Sequence, residues 1–153
     1  MSLPAPHFLL IAGRVRRDRQ EDWRFTIQTD DGQPCFEVAD FEPEVHGERL
    51  ELLAVIRGLE SLDQPSRITL FTDSTYVSRG LNYGLAEWRD NNWQWERHGS
   101  MVPVKNSDLW KRLDRTLQIH QVECRLRKSE SDGNENSSFA RSGSDSQRQE
   151  AAA

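Results

Sequence analysis

Between Glu48 and Leu62 the apolar residues Leu52, Val55, Ile56, Leu59 and Leu62 recur at i, i+3, i+4, i+7 and i+10. That spacing predicts a helix with one buried stripe. Asp63-Gln64-Pro65-Ser66 breaks it. Ile68, Leu70 and Phe71 then form a short run apolar enough for a central strand, which ends at Thr72-Asp73-Ser74 and turns into a helix around Tyr76 to Gly80. Upstream, the apolar run Phe8 to Ile11 is the first predicted strand, closed by Ala12-Gly13, and Arg14 to Asp22 is a charged connection. Trp23 to Gln28 alternates large apolar with polar, the period of a half-exposed strand. Asp31-Gly32 signals a hairpin turn, and Cys35 to Val38 returns as a third strand. Downstream, Leu109, Trp110, Leu113 and Leu117 mark a second amphipathic helix with Asn106 or Ser107 as its N-cap. Val122, Cys124 and Leu126 alternate with charged residues in a fifth strand. The pattern predicts an α/β fold: a mixed five-stranded sheet, begun by an antiparallel meander and flanked by helices on both sides. No internal repeat is present.

After Ser129 the character changes. Ser, Asn, Asp, Glu and Gly dominate, and Phe139 is almost the only large apolar residue, so this stretch reads as poorly ordered or weakly helical. The expected organisation is a tail over 1–7, a core over 8–128 and a degenerate C-terminal segment over 129–153. Composition adds bounds. The 153 residues suffice for one domain with a real core. A net charge of −5 argues mildly against strong nonspecific nucleic-acid binding. Cys35 and Cys124 are isolated, with neither zinc-ligand nor disulfide-framework spacing. With no signal-peptide pattern and no 18-residue apolar run, a cytoplasmic, monomeric protein without membrane contact is expected.

Two acids fall where chemistry is commonly built. Glu51 lies in the first turn of the predicted helix and Asp73 at the carboxyl end of the predicted buried strand. Such carboxylates can meet at a sheet edge and hold Mg²⁺, a hard ion that prefers oxygen. Each has a plainer role as well. A helix N-terminus favours any negative charge near Glu51, and Asp73 can cap the following helix.

The words around these acids decide more than the acids do. Glu51-Leu52-Leu53-Ala54-Val55-Ile56 with Leu59-Glu60-Ser61-Leu62, then Thr72-Asp73-Ser74-Thr75-Tyr76-Val77, then Pro103-Val104-Lys105-Asn106-Ser107-Asp108-Leu109-Trp110 resemble, in order, the type 1 ribonuclease H family, bacterial RNase HI-like. The resemblance implies a ribonuclease H-like fold and endonucleolytic hydrolysis of RNA in RNA–DNA hybrids. Two Mg²⁺ ions serve that reaction, held by four acids: one after strand one, one in the first helix, one after strand four and one in the last helix. Glu51 and Asp73 match the second and third, as catalytic and metal-binding residues. The first falls on Ala12, followed closely by the cation Arg14, and the fourth on Ala140 or, in a shifted match, Ser137. The family's loop histidine falls on Glu130. Asp132, Glu135 or Asp145 could substitute for a missing ligand only from a segment of weak structure.

The resemblance also implies hybrid contacts at Ser74, Tyr76, Lys105 and Asn106, whereas His46-Gly47-Glu48-Arg49 replaces the family's polar backbone readers. Trp88, Trp93 and Trp95 fall in the region of the family's basic handle. The charges there nearly cancel, so packing of a helical corner is favoured over stacking on nucleic acid. The expectation is a relative of the hybrid ribonucleases that is catalytically impaired or inactive. It would keep a weak single Mg²⁺ site and weak binding of RNA–DNA hybrid or RNA. The alternatives are an active Mg²⁺- or Mn²⁺-dependent nuclease with relocated ligands and a non-enzymatic protein-interaction module.

Overall fold

The computed structural model describes residues 4–127. Glu130, Asp132, Glu135, Ser137, Ala140 and Asp145 lie outside them. Three strands, β1 (His7–Arg17), β2 (Gln20–Thr29) and β3 (Pro34–Asp40), form an antiparallel meander. Helix α1 (Gly47–Glu60) crosses back to β4 (Arg67–Thr72), which runs parallel to β1. Helix α2 (Thr75–Arg79) passes through a π-helical turn, Gly80–Gly84, into α3 (Leu85–Asp90). A hairpin of β5 (Gln94–Arg97) and β6 (Ser100–Pro103) leads to α4 (Ser107–Leu117) and to β7 (Gln121–Leu126), parallel to β4. The sheet order is β3-β2-β1-β4-β7. The mixed five-stranded sheet is therefore as the pattern predicts.

The core lies between one sheet face and the helices. Leu10 and Ala12 of β1, Trp23, Phe25 and Ile27 of β2, and Ile68 and Leu70 of β4 meet a helix α1 buried at Leu50, Leu52, Leu53, Ala54, Val55, Ile56 and Leu59. The buried stripe is wider than the predicted one because α1 is covered by the sheet below and touched by α4 and α2. Gly58 allows the closest approach, since a β-carbon there would sit 2.6 Å from Leu10 Cδ1. Alternation sends Leu9, Ile11 and Phe71 to the opposite sheet face, where they are half-buried. Among the described residues that face carries no helix, so the expected second helical layer is not seen within 4–127.

Three local expectations need correction. Arg14 to Asp22 is not a connection. β1 and β2 continue through it to a tight turn at Asp18-Arg19, with Asp18 at φ 53°. Charge hid the strand, but the charges are paired: Arg17 donates to the buried Asp22 at 2.5 Å, and Gln20 adds a second bond at 2.7 Å. Second, Glu51 is the fifth residue of α1 and sits in its second turn, because the helix opens at Gly47 (φ 61°) with no side-chain cap from His46. Third, the tryptophan region is only partly a helical corner. Trp88 packs edge-on against Trp110 at 5.1 Å, but the chain after Trp93 forms the β5–β6 hairpin. His98 and Gly99, at φ 53° and 83°, make its turn.

Candidate functional site

The parallel register of β1 and β4, with Ile11 opposite Phe71, brings Ala12 to Arg14 and Asp73 to one end of the sheet. Helix α1 passes over the same end and contributes Glu51. A cleft of about 410 Å³ opens there, lined among others by Ala12, Arg14, Asp73 and Arg127, with Thr26 and Gln28 beyond.

Neither predicted acid stands alone. Arg14 faces the helix side of the sheet, opposite Trp23 on β2. Its Nε donates to Glu51 Oε2 at 3.1 Å and its Nη1 to Glu21 Oε2 at 2.5 Å. The second oxygen of Glu21 accepts the Gly47 N–H at 3.2 Å, at the opening of α1. Both carboxylates are mostly enclosed, at 14% and 15% side-chain exposure, against 43% for Arg14. The Gly47 amide draws the Glu21 carboxyl below its ordinary range. Partial burial opposes this, and Arg14 reinforces it. The same pairings, Glu21 first, hold the Arg14 guanidinium more firmly protonated. Asp73 is half-exposed and accepts from Arg127 Nε at 3.3 Å. It does not cap α2. Ser74 does, its Oγ accepting the Val77 N–H at 3.1 Å. Ala12, which faces the helices one cross-strand pair inside Arg14, is 5% exposed.

The four predicted nucleic-acid contacts cluster around α2 and the start of α4. Ser74 is buried and spent on its cap. The Tyr76 hydroxyl accepts from Trp110 Nε1 at 2.9 Å and from Asn106 Nδ2 at 3.0 Å, and donates to the Lys105 carbonyl at 3.3 Å. Asn106 occupies the left-handed cap position of α4 (φ 60°), which asparagine tolerates. Its Oδ1 accepts from Arg49 at 3.1 Å. Lys105 reaches outward, 3.3 Å from Glu48 and over the Tyr76 ring. Beside them an apolar groove is walled by Tyr76, Tyr83, Trp88 and Trp95, with Tyr83 77% and Trp95 42% exposed.

Residues 18–141 match the family model described as RNase H. The chain belongs to the RNase H family. Among relatives, a ribonuclease H of Halorhodospira halophila is 49% identical over 82 residues, covering 54% of this chain and 53% of that protein. A ribonuclease H of Rhodopirellula baltica is 35% identical over 100 residues, covering 65% and 63%. The matched stretches thus span less than two thirds of these relatives' length. The fold is also that of LC9-RNase H1, a type 1 RNase H with the type 2 active-site motif. The TM-score is 0.65 at 20% identity over 84% of this chain and 65% of that one. LC11-RNase H1, solved in complex with RNA/DNA hybrid, superposes with a TM-score of 0.53 at 11% identity, over 78% of this chain and 86% of that one.

Two residues that pair with the candidate site's charged groups were not singled out by the sequence pattern: Glu21 and Arg127. Glu21 was hidden in the supposed connection. The signal was present, since Glu21 continues the period-two series of Trp23, Phe25 and Ile27 toward the helices. Nothing local marks Arg127, whose position follows from the pairing of β7 with β4 and from its N–H bond to the Thr72 carbonyl at 2.7 Å.

Proposed function

We propose that this chain is an RNase H-fold protein that engages RNA–DNA hybrid weakly and hydrolyses it little or not at all. The observation that carries the reading is Ala12. A buried methyl group stands at the carboxyl end of the first strand, where the resemblance calls for an acid. The Mg²⁺ pair of the family would activate water and stabilise the departing oxygen. The side chains present do not suit such a pair. Ala12 supplies no oxygen, Glu51 is bonded to Arg14, and Asp73 is bonded to Arg127. Glu51 and Asp73 leave room at most for one weakly held ion through water. Lewis-acid stabilisation is worth several kcal/mol, so loss of one ion would cost roughly a thousandfold or more in rate.

Binding has a surface to use. Lys105, Trp95 and Tyr83 present an exposed cation and two exposed rings beside the α2–α4 junction, the combination that grips a backbone and stacks bases. Ser74, Tyr76 and Asn106 support that junction from within. The test is incubation of purified protein with labelled RNA–DNA hybrid and Mg²⁺ or Mn²⁺, beside a salt titration of hybrid binding. The expected result is salt-dependent binding without cleavage. Cleavage that Asp73→Asn abolishes would overturn the reading in favour of an active nuclease. No binding even at low salt would favour a protein-interaction module. Ala12→Asp with Ala140→Asp reports whether missing ligands alone account for the loss.

A further inference from the structure

Glu21 has no part in the resemblance, yet it completes a cluster of two mostly enclosed carboxylates about one cation at this end of the sheet. We propose that Arg14 is a resident counter-cation, held by Glu21 and Glu51 in a closed triad that keeps divalent ions away from these carboxylates. The inference rests on reading this end of the sheet as the family's catalytic end.

The geometry favours a guanidinium over a metal. Its planar fork meets two carboxylates at once, Nε on Glu51 at 3.1 Å and Nη1 on Glu21 at 2.5 Å. Glu21 is also held independently of Arg14, because the Gly47 N–H binds its other oxygen at 3.2 Å. Arg14 and Glu21 belong to one ladder: Arg16 pairs with Glu21, and Arg14 lies two residues along on the same face. The cation is therefore tethered beside its partners at high effective concentration. Mg²⁺ sheds its waters reluctantly and demands near-octahedral oxygen geometry. To enter, it would have to displace a covalently attached rival from both carboxylates. Arg127, one residue beyond β7, pairs with Asp73 through a single contact at 3.3 Å, although that pair is half-exposed and weaker.

Removal of Arg14 should then open a site that the native chain closes. Glu21 and Glu51 would face each other without a cation, with His46 Nδ1 3.7 Å from Glu21. The experiment is Mn²⁺ binding by water-proton relaxation and by thermal shift against NaCl of matched ionic strength. It uses the full chain, Arg14→Ala, and Arg14→Ala with Glu21→Gln. The native chain should give at most the weak relaxation enhancement of one water-mediated ion and no Mn²⁺-specific rise in Tm. Arg14→Ala should bind Mn²⁺ at least tenfold more tightly, and Glu21→Gln should abolish the gain. Mn²⁺ binding by the native chain equal to that of Arg14→Ala overturns the proposal, and so does a folded Arg14→Ala without gain. If Arg14→Ala does not fold, Arg14→Gln takes its place, and relaxation of the native chain remains decisive. Hybrid cleavage by the native chain overturns the functional reading. Mn²⁺ binding by the native chain as tight as that of Arg14→Ala, without cleavage, overturns only the triad.

Discussion

Tyr76→Phe separates two roles for one hydroxyl. The resemblance makes Tyr76 a contact for nucleic acid, whereas the structure makes its Oη the meeting point of Trp110 Nε1 at 2.9 Å and Asn106 Nδ2 at 3.0 Å. Trp110 is fully buried, so loss of the hydroxyl strands an indole N–H with no access to water. A stranded buried donor costs about 1–3 kcal/mol, and the half-buried Asn106 bond adds about 0.5–1 kcal/mol. The ring stays in place at 5.7 Å from Trp110, so packing changes little. The expected loss is therefore about 2–3 kcal/mol, a fall in Tm of about 6–9 °C for a chain of this size. Urea unfolding followed by tryptophan fluorescence measures it, with an unchanged slope as the sign that only the folded state is affected. Hybrid binding by the folded fraction should be nearly unaltered. Stability within about 0.5 kcal/mol of the parent, well below the loss expected for a stranded donor, together with weakened hybrid binding, would refute the scaffold assignment.

Gly80→Ala should destabilise by about 2 kcal/mol or more, by overpacking, because the new β-carbon would sit 2.0 Å from Trp110 Cη2, a ring with no space to move; urea unfolding measures the loss. Trp95→Ala should leave stability within about 0.5 kcal/mol, as for exposed positions generally, while lowering hybrid affinity in an anisotropy titration, since the ring is 42% exposed. His120 is buried, its Nδ1 accepting the Ser66 N–H at 3.1 Å, and burial lowers its pKa despite a bond to the Leu59 carbonyl. The unfolded chain therefore takes up this proton first. Stability should fall as pH drops below about 6.5, the ordinary histidine value, and His120→Gln should flatten that limb in pH-dependent unfolding. A second acid limb should follow below about pH 4 as Glu21, Asp22, Asp31 and Asp108, whose carboxyls are held low by hydrogen bonds, are protonated.

The parts of the fold legible in the sequence are those where one physical signal dominates. The stripe from Leu52 to Leu62 gave α1, and the apolar run from Ile68 to Phe71 gave a central strand, because burial wrote both patterns directly. Asp31-Gly32 marked its turn, and Gly32 adopts φ 91° there. The extension of β1 and β2 was illegible because its residues are charged and their neutralisation exists only once the hairpin has formed: Asp22 is tolerable inside only with Arg17 and Gln20 in place. The β5–β6 hairpin lacks an apolar alternation strong enough to announce it, and its turn uses His98 where asparagine is the usual signal. Glu51 and Asp73 were visible as candidate site residues. Their occupation by Arg14 and Arg127 depends on strand register, which a linear reading does not supply.

The placement of β1 bears on how the chain is made. Its antiparallel partner β2 emerges from the ribosome at once, but its parallel partner lies about sixty positions later, with His7 opposite Arg67. During synthesis the meander can zip up while the other margin of β1, carrying Phe8, Leu9, Leu10 and Ile11, stays open until α1 and β4 arrive. A nascent chain stalled before Arg67 thus displays an apolar strand edge in search of any partner. Translation speed through α1 sets how long that exposure lasts.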